Sequence, residues 1–218
     1  MDEKDLLHEL MTNTDDEIKL TPKQAKILQA AMEIFAEKGY ASTSTSEIAK
    51  RAGVAEGTIF RHYKTKKELL LSIVSPMITK FAIPFFADHF IKEVFEKKEN
   101  ESYEELLRAI IINRFNFVKR NQSLLKILLQ EISFHEELQL KFKEIFIGKV
   151  YPRFTKLIKQ YTEQGEISND FNPNTVIRLM MTTVIGFIIT RFVVMPNHEW
   201  DDEYEIEQTI RFIRNGLQ

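Results

Sequence analysis

The residues best suited to chemistry in this chain sit in one short stretch, Thr43 to Leu70, which reads TSTSEIAKRAGVAEGTIFRHYKTKKELL. It holds Glu56, Thr58, Arg61 and His62 close together, followed by Lys64, Lys66 and Lys67. Ammonium and guanidinium groups bind phosphate, hydroxyls and imidazoles reach phosphates or base edges, and a carboxylate accepts from cytosine N4. Spacing sorts these residues. Ile59 and Tyr63 lie four apart on one helical face and would anchor that helix to Ile34 and Phe35. Glu56, Thr58, Arg61 and His62 then point largely elsewhere, available to a groove. Lys64, Lys66 and Lys67 lie just beyond, where the amides of a following helix add to phosphate binding. Glu56 has two readings: it accepts from cytosine, or it favours the positive end of its helix.

The elements that must position these groups are legible from their ends. Thr21, Pro22 and Gln24 make a capped helix start, and Ile27, Ala30, Ala31, Ile34 and Phe35 recur on one face until Gly39. Ser44 with Glu47 makes a second capping box before a short helix, Glu47 to Ala52. Gly53 supplies a turn, a third helix spans Gly57 to Tyr63, and Thr65 caps a fourth from Lys66. Two short helices joined by a tight glycine turn and followed by a basic segment describe a helix-turn-helix. The remainder reads as long amphipathic runs, roughly 66–97, 102–120, 122–133, 135–164, 173–195 and 202–216. Pro76, Pro84 and Pro152 fall inside them and should kink or end a helix. No strand pattern of useful length and no internal repeat interrupts this, so the chain is expected to be all-α. The composition shifts near residues 70–80, the best place for a domain boundary, although one helix can cross it.

Composition narrows the function classes. The chain has 218 residues, 44% of them hydrophobic, and no Cys. It is long and apolar enough to enclose a core, and a disulfide scaffold, thiol catalysis and thiolate metal sites are excluded. Net charge is −2, but it is unevenly spread: residues 1–20 sum to −5, residues 21–80 to +5 and residues 81–218 to −2. The basic block therefore coincides with the helix-turn-helix. The acidic start lacks the basic and apolar regions of a secretion signal, pointing to a cytoplasmic protein. The most apolar stretch, Leu179 to Met195, has only twelve residues between Arg178 and Arg191, too few for a bilayer span of about 20, so no membrane is expected. No nucleophile elbow, phosphate loop or metal-spaced histidine pair is present, so no enzyme, cofactor or metal is expected. Glu131 and His135 stand four apart, a spacing that suits an ion pair on a helix surface.

Residues 22–70 resemble the DNA-binding domain of the TetR family of bacterial transcriptional regulators. The segments ILQAAMEIFAEKGY, TSTSEIAKRAGV and GTIFRHYKTKKELL carry the resemblance in order. It implies an all-helical homodimer, with an N-terminal helix-turn-helix domain over 21–70 joined to a larger ligand-binding and dimerisation bundle over 71–218. Apart from the resemblance, residues 1–20 read as an acidic flexible extension with two readings: it is simply frayed, or its acidic side chains compete with DNA for the basic block. Such proteins are usually repressors released from a palindromic double-stranded DNA operator by a small-molecule effector. By resemblance, Ser44, Thr45, Thr58, Phe60, His62 and Lys66 fall where family members touch DNA; Glu56, Gly57, Arg61 and Lys64 complete the candidate surface. Two departures stand out: Phe60 replaces a frequent Tyr and loses its hydroxyl, and Ala55 replaces a frequent Ser or Thr cap worth ~1 kcal/mol. With Glu56 they lend support to one alternative, a helical ligand-binding or adaptor protein that has stopped reading DNA.

Fifteen of the 17 Phe lie after residue 80. Most fill core, but a bundle can also leave an apolar pocket with a few orienting polar groups. Asn113, Arg114, Phe117, Gln130, Phe134, Arg178, Thr182 and Phe187 are the candidate lining. An aromatic or acyl-chain-like effector would suit them, with Arg114 or Arg178 holding an anionic end. Thr182, Gly186 and Thr190 recur every four residues, a small-residue ridge that admits a second helix. With Ile206, Ile210 and Ile213 they are the candidate dimer interface.

Overall fold

The computed structural model describes residues 20–82 and 102–217. Two expectations, the acidic extension over 1–20 apart from Leu20 and the break at Pro84, lie outside the described residues. Among the described residues every regular element is a helix. These are α1 (Pro22–Lys38), α2 (Thr45–Ala52), α3 (Glu56–His62), α4 (Lys66–Ala82), α5 (Tyr103–Arg120), α6 (Gln122–Glu131), α7 (Glu136–Ile145), α8 (Tyr151–Glu163), α9 (Pro173–Ile189) and α10 (Asp202–Leu217). Single π-helical turns, Phe146–Val150 and Thr190–Val194, lead into α8 and out of α9.

The chain folds as two compact units, one formed by residues 1–80 and 120–142 and the other by 81–119 and 143–218, as far as each is described. The first unit is built from well-capped helices. Thr21 Oγ1 accepts from the Gln24 amide, and Gln24 Oε1 accepts from the Thr21 amide at 2.9 Å, so two orphan donors of α1 are satisfied at once. Gly39 ends α1 at φ 83°. Ser44 Oγ accepts from the Glu47 amide, which starts α2 at Thr45, two residues before the expected start. Gly53 makes the turn in the left-handed region, φ 67° and ψ 37°, where a side chain would be strained. Ala55 provides no side-chain cap for α3. Ile27, Ile34, Phe35, Ile48, Ile59 and Tyr63 are all buried, and side chains of this kind contribute roughly 1.5–3 kcal/mol each.

Thr65 Oγ1 caps α4 by accepting from the Glu68 amide at 3.0 Å. The helix runs past Pro76 to Ala82, so it does not end there; proline removes one ladder bond, and the rest of the ladder carries the helix on. Residues 120–142, which the sequence assigns to the C-terminal bundle, fold into the first unit, and α6 packs on α1 through its buried Leu124, Leu125, Ile127 and Leu128. Lys67 pairs with Glu137 at 2.5 Å and closes the same unit.

In the second unit α5 lies against α10 through an ionic cluster. Arg108 pairs with Glu104 and Glu207, and Arg214 reaches Glu104 at 2.6 Å. Asp202 receives Arg191 at 2.6 Å and Lys119 at 2.8 Å. Tyr103 is buried, its hydroxyl donating to the Met180 sulfur at 3.1 Å and its amide to Glu166 at 2.7 Å. Pro152 stands second in α8, directly after the π turn Phe146–Val150, where the ladder leaves its regular i→i−4 bonds: the Tyr151 amide donates to the Phe146 carbonyl five residues back. The stretch Pro173–Val194 is long and apolar enough, by length and composition, to cross a membrane. Val176, Ile177, Met180, Ile188 and Phe192 spend one side of it on the core of the unit.

Candidate nucleic-acid interface

Helix α3 divides its residues sharply. Ile59, and Tyr63 just after it, are buried, whereas Glu56, Gly57, Phe60, Arg61 and the following Lys64 are exposed. Phe60 leaves 47% of its surface in water, a large apolar exposure for a folded protein. A Cβ added at Gly57 would meet nothing within 4 Å, so the backbone there is open to close approach. Thr58 and His62 are half-buried. The His62 Nε2 atom is buried with no hydrogen-bond partner among the described residues, so any contact this ring makes with DNA must use its other atoms.

The polar groups flanking α3 are already organised. Thr45 Oγ1 donates to Glu56 Oε1 at 2.6 Å, tying the start of α2 to the start of α3. Ser44 Oγ caps α2 and lies 3.1 Å from Ser46 Oγ. Arg51 reaches back to Glu37 at 3.1 Å and Glu33 at 3.4 Å, fixing α2 on α1. Those bonds hold the Glu37 carboxyl below its ordinary value.

The lysines differ from one another more than their spacing suggests. Lys64 is exposed. Lys66 is half-buried and donates to the carbonyls of Tyr40 and Thr43, both at 2.7 Å, with its ammonium 4.3 Å above the Tyr40 ring. Two of its three donors are therefore spent inside the protein. Lys67 is engaged with Glu137. Tyr40 and Thr43 thus position the basic segment, and sequence spacing had no way to show it, because backbone carbonyls 26 and 23 residues away do the work.

Behind Tyr40 stands a pair that the sequence places on a surface. Glu131 and His135 are buried, 3.2 Å apart, and the Tyr40 ring meets His135 edge-on at 5.3 Å. The solvated helix edge expected for them is wrong because α6 turns this face toward α1 rather than outward. Burial, reinforced by Glu131, pushes the Tyr40 phenol above its ordinary value against the opposing effect of Lys67.

The candidate effector residues are divided between the two units. Gln130 and Phe134 belong to the first, where both are exposed, Phe134 by 81%. Asn113, Arg178 and Thr182 are exposed in the second. The interior there holds Arg114, only 4% exposed, beside half-buried Phe117 and Phe187. Arg114 donates to Asn113 Oδ1 and stands 5.4 Å from the Phe117 ring. Burial pushes its guanidinium down to about 10. Phe187 stacks on Phe115 at 5.6 Å, and Phe115 meets Phe192 at 5.0 Å. Phe115 and Phe192 were not singled out from sequence. Phe187 and Phe192 are five apart, and only the π turn at Thr190–Val194 brings such a pair onto one ring.

The candidate interface residues separate in the same way. Thr182 and Gly186 are exposed, Thr190 is half-buried, and a Cβ at Gly186 would meet nothing within 4 Å. Ile206, Ile210 and Ile213, expected at the interface, are buried within their own chain, because the isoleucine stripe of α10 covers the core of its own unit. The outward side of α10 carries Tyr204 and Phe212, the latter 69% exposed.

Comparison with known proteins agrees with this arrangement. The family described as bacterial regulatory proteins, tetR family, matches residues 27–73, which span α1 to α4. The fatty acid metabolism regulator protein of Bacillus subtilis is 28% identical over 168 residues, 77% of this chain and 80% of its own. The structure of the fatty acid degradation regulator FadR from Bacillus halodurans shares the fold, with a TM-score of 0.69 at 24% identity over 92% of this chain and 98% of its own. FadR from Bacillus subtilis, solved in complex with stearoyl-CoA, has a TM-score of 0.62 at 25% identity, covering 88% of this chain and 98% of its own. These relatives are regulators of transcription, not enzymes. Over residues 27–73 the chain matches the TetR family of bacterial regulatory proteins, and over most of its length it is similar to regulators of transcription.

Proposed function

We propose that this regulator is a cytoplasmic repressor that binds a palindromic operator as a homodimer and is released by a long-chain acyl-CoA. The observation that carries the effector class is the similarity to the stearoyl-CoA complex over 88% of this chain at 25% identity. The residues of the second unit suit such a molecule. Half-buried Phe187 and Phe117 offer apolar surface to an acyl chain, with Phe115 and Phe192 packed behind Phe187, and Arg114, next to Phe115 in sequence, offers a cation to an anionic group.

The open ridge of α9, Thr182 and Gly186, together with exposed Tyr204 and Phe212 of α10, supports pairing with the same surface of a second copy. A two-fold pair would place two α3 helices in major grooves about 34–36 Å apart, one turn of DNA. Arg61 and Lys64 would supply salt-dependent phosphate attraction. An effector acts by binding more tightly to the dimer shape that misplaces the two recognition helices.

The test is a mobility shift with DNA from upstream of the protein's own gene, titrated with stearoyl-CoA, free stearate or CoA alone. Release by stearoyl-CoA at concentrations where CoA does nothing supports the reading. A complex that survives a large excess of all three overturns the effector class and leaves the regulator standing.

A further inference from the structure

The first unit contains an acid where a DNA-binding surface ordinarily avoids one. Glu56 is exposed at the start of α3, in a stretch of the chain whose net charge is positive, and would face a polyanion. Its carboxylate is not loose: Oε1 accepts the Thr45 hydroxyl at 2.6 Å, and Oε2 has no partner among the described residues. A threonine hydroxyl has a single proton to donate. Having given it to Glu56, Thr45 has none left for a DNA phosphate, which is the contact the family resemblance implies. A fixed carboxylate with one oxygen outward is a pure acceptor, and among base edges in the major groove it suits the cytosine N4 amino group. One turn further along α3, at four residues, Phe60 presents apolar surface, which suits the methyl group of thymine. Four helical residues rise about 6 Å, or roughly two base-pair steps at 3.4 Å each.

We propose that Glu56 reads a cytosine in each operator half-site, that Thr45 is the positioning residue that aims it, and that Phe60 reads a thymine about two steps away. The inference rests on the DNA-binding reading above and names the bases it selects. A carboxylate held by a hydroxyl is repelled by the acceptors of guanine and thymine, and at adenine the N7 acceptor beside the N6 amino group makes the contact poorer than at cytosine. Glutamine keeps the shape of glutamate but adds a donor, and so pairs with adenine through N6 and N7.

The experiment selects bound sequences from randomised duplex DNA with the full-length protein and with E56Q, T45V, T45S and F60A, each checked for an unchanged thermal melt. Wild type should enrich one cytosine per half-site at least tenfold over the other bases, and E56Q should replace it with adenine. T45V should flatten the preference at that position alone, T45S should restore it, and F60A should flatten a thymine about two steps away. If E56Q and wild type enrich identical sites, or T45V weakens binding evenly with no change of base preference, the inference is overturned while the regulator stands. No enrichment by wild type overturns both.

Discussion

The surface around α2 and α3 and the surface of α9 and α10 are built in different ways. The first holds polar groups in place, Thr45 on Glu56, Lys66 on two carbonyls and Arg51 on two carboxylates, with Phe60 as its exposed aromatic side chain. The second exposes Tyr204 and Phe212 on α10, and on α9 a Gly186 with open space around it. A surface meant for a duplex must present donors and acceptors at fixed positions before contact, since each misplaced group costs selectivity. A surface meant for a second copy of the same chain gains from apolar area and close approach. The contrast suits the two partners proposed above, DNA for the one surface and a second copy of the chain for the other.

Four perturbations break or sharpen that contrast. The largest effect belongs to Tyr63→Ala. Removing a buried ring from the small core of the first unit should cost about 3–5 kcal/mol and unfold it, read by denaturant titration. A variant that melts like wild type and loses only DNA affinity would move Tyr63 to the recognition surface. Next is Gly186→Trp, which fills the open ridge of α9. Dimer dissociation should become about 100-fold easier, roughly 2.7 kcal/mol, by analytical ultracentrifugation. The thermal melt of the second unit should hardly change, and an unchanged dimer would place the interface elsewhere.

Asp202→Asn probes the ion pairs at the start of α10 in the second unit. Burial raises the Asp202 carboxyl, but the bonds from Arg191 and Lys119 outweigh it and leave it below the ordinary value of 3.8. The ion pairs therefore stabilise the fold above that pH and fade as pH falls through the lowered value. Asn should cost ~1 kcal/mol near neutral pH, and the gap to wild type should close in acid. A gap that persists at pH 2 would mean packing, not charge. Smallest at neutral pH is Tyr63→Phe. Burial pushes the Tyr63 phenol up to about 12. The unfolded chain then releases a proton near pH 10 that the folded chain keeps, so wild type loses stability as pH rises from 10 to 12. Tyr63→Phe should match wild type at pH 7 and unfold less readily by pH 11; identical alkaline melts would refute the assignment.

What was legible in the sequence follows the same division. Thr21 with Gln24, Gly39, Ser44, Gly53 and the Ile59–Tyr63 face are local signals, and the structure places a cap, a stop, a turn and a buried face at them. The short helix α3 and its buried face were therefore recoverable from spacing alone. The roles of individual polar groups were not, because the Lys66 clasp and the Thr45–Glu56 bond join residues far apart in sequence. In the second unit an apolar helical face is visible, but whose core it covers is not. Ile206, Ile210 and Ile213 looked equally fit for a partner and cover their own chain. Residues 120–142 show the same ambiguity, since an amphipathic pattern tells which face is buried but not which unit it covers.

The central claim is that the exposed side of α3 and its basic flank hold DNA. The direct test is binding of the full-length protein to DNA from upstream of its own gene, at two salt concentrations, beside Arg61→Ala/Lys64→Ala. Lys66 is left intact because its substitution would also undo the Tyr40 and Thr43 bonds. The account predicts sequence-selective binding by wild type that falls steeply with salt, and a double variant at least tenfold weaker with a shallower salt slope. Equal binding by both proteins, with the same salt dependence, would contradict it.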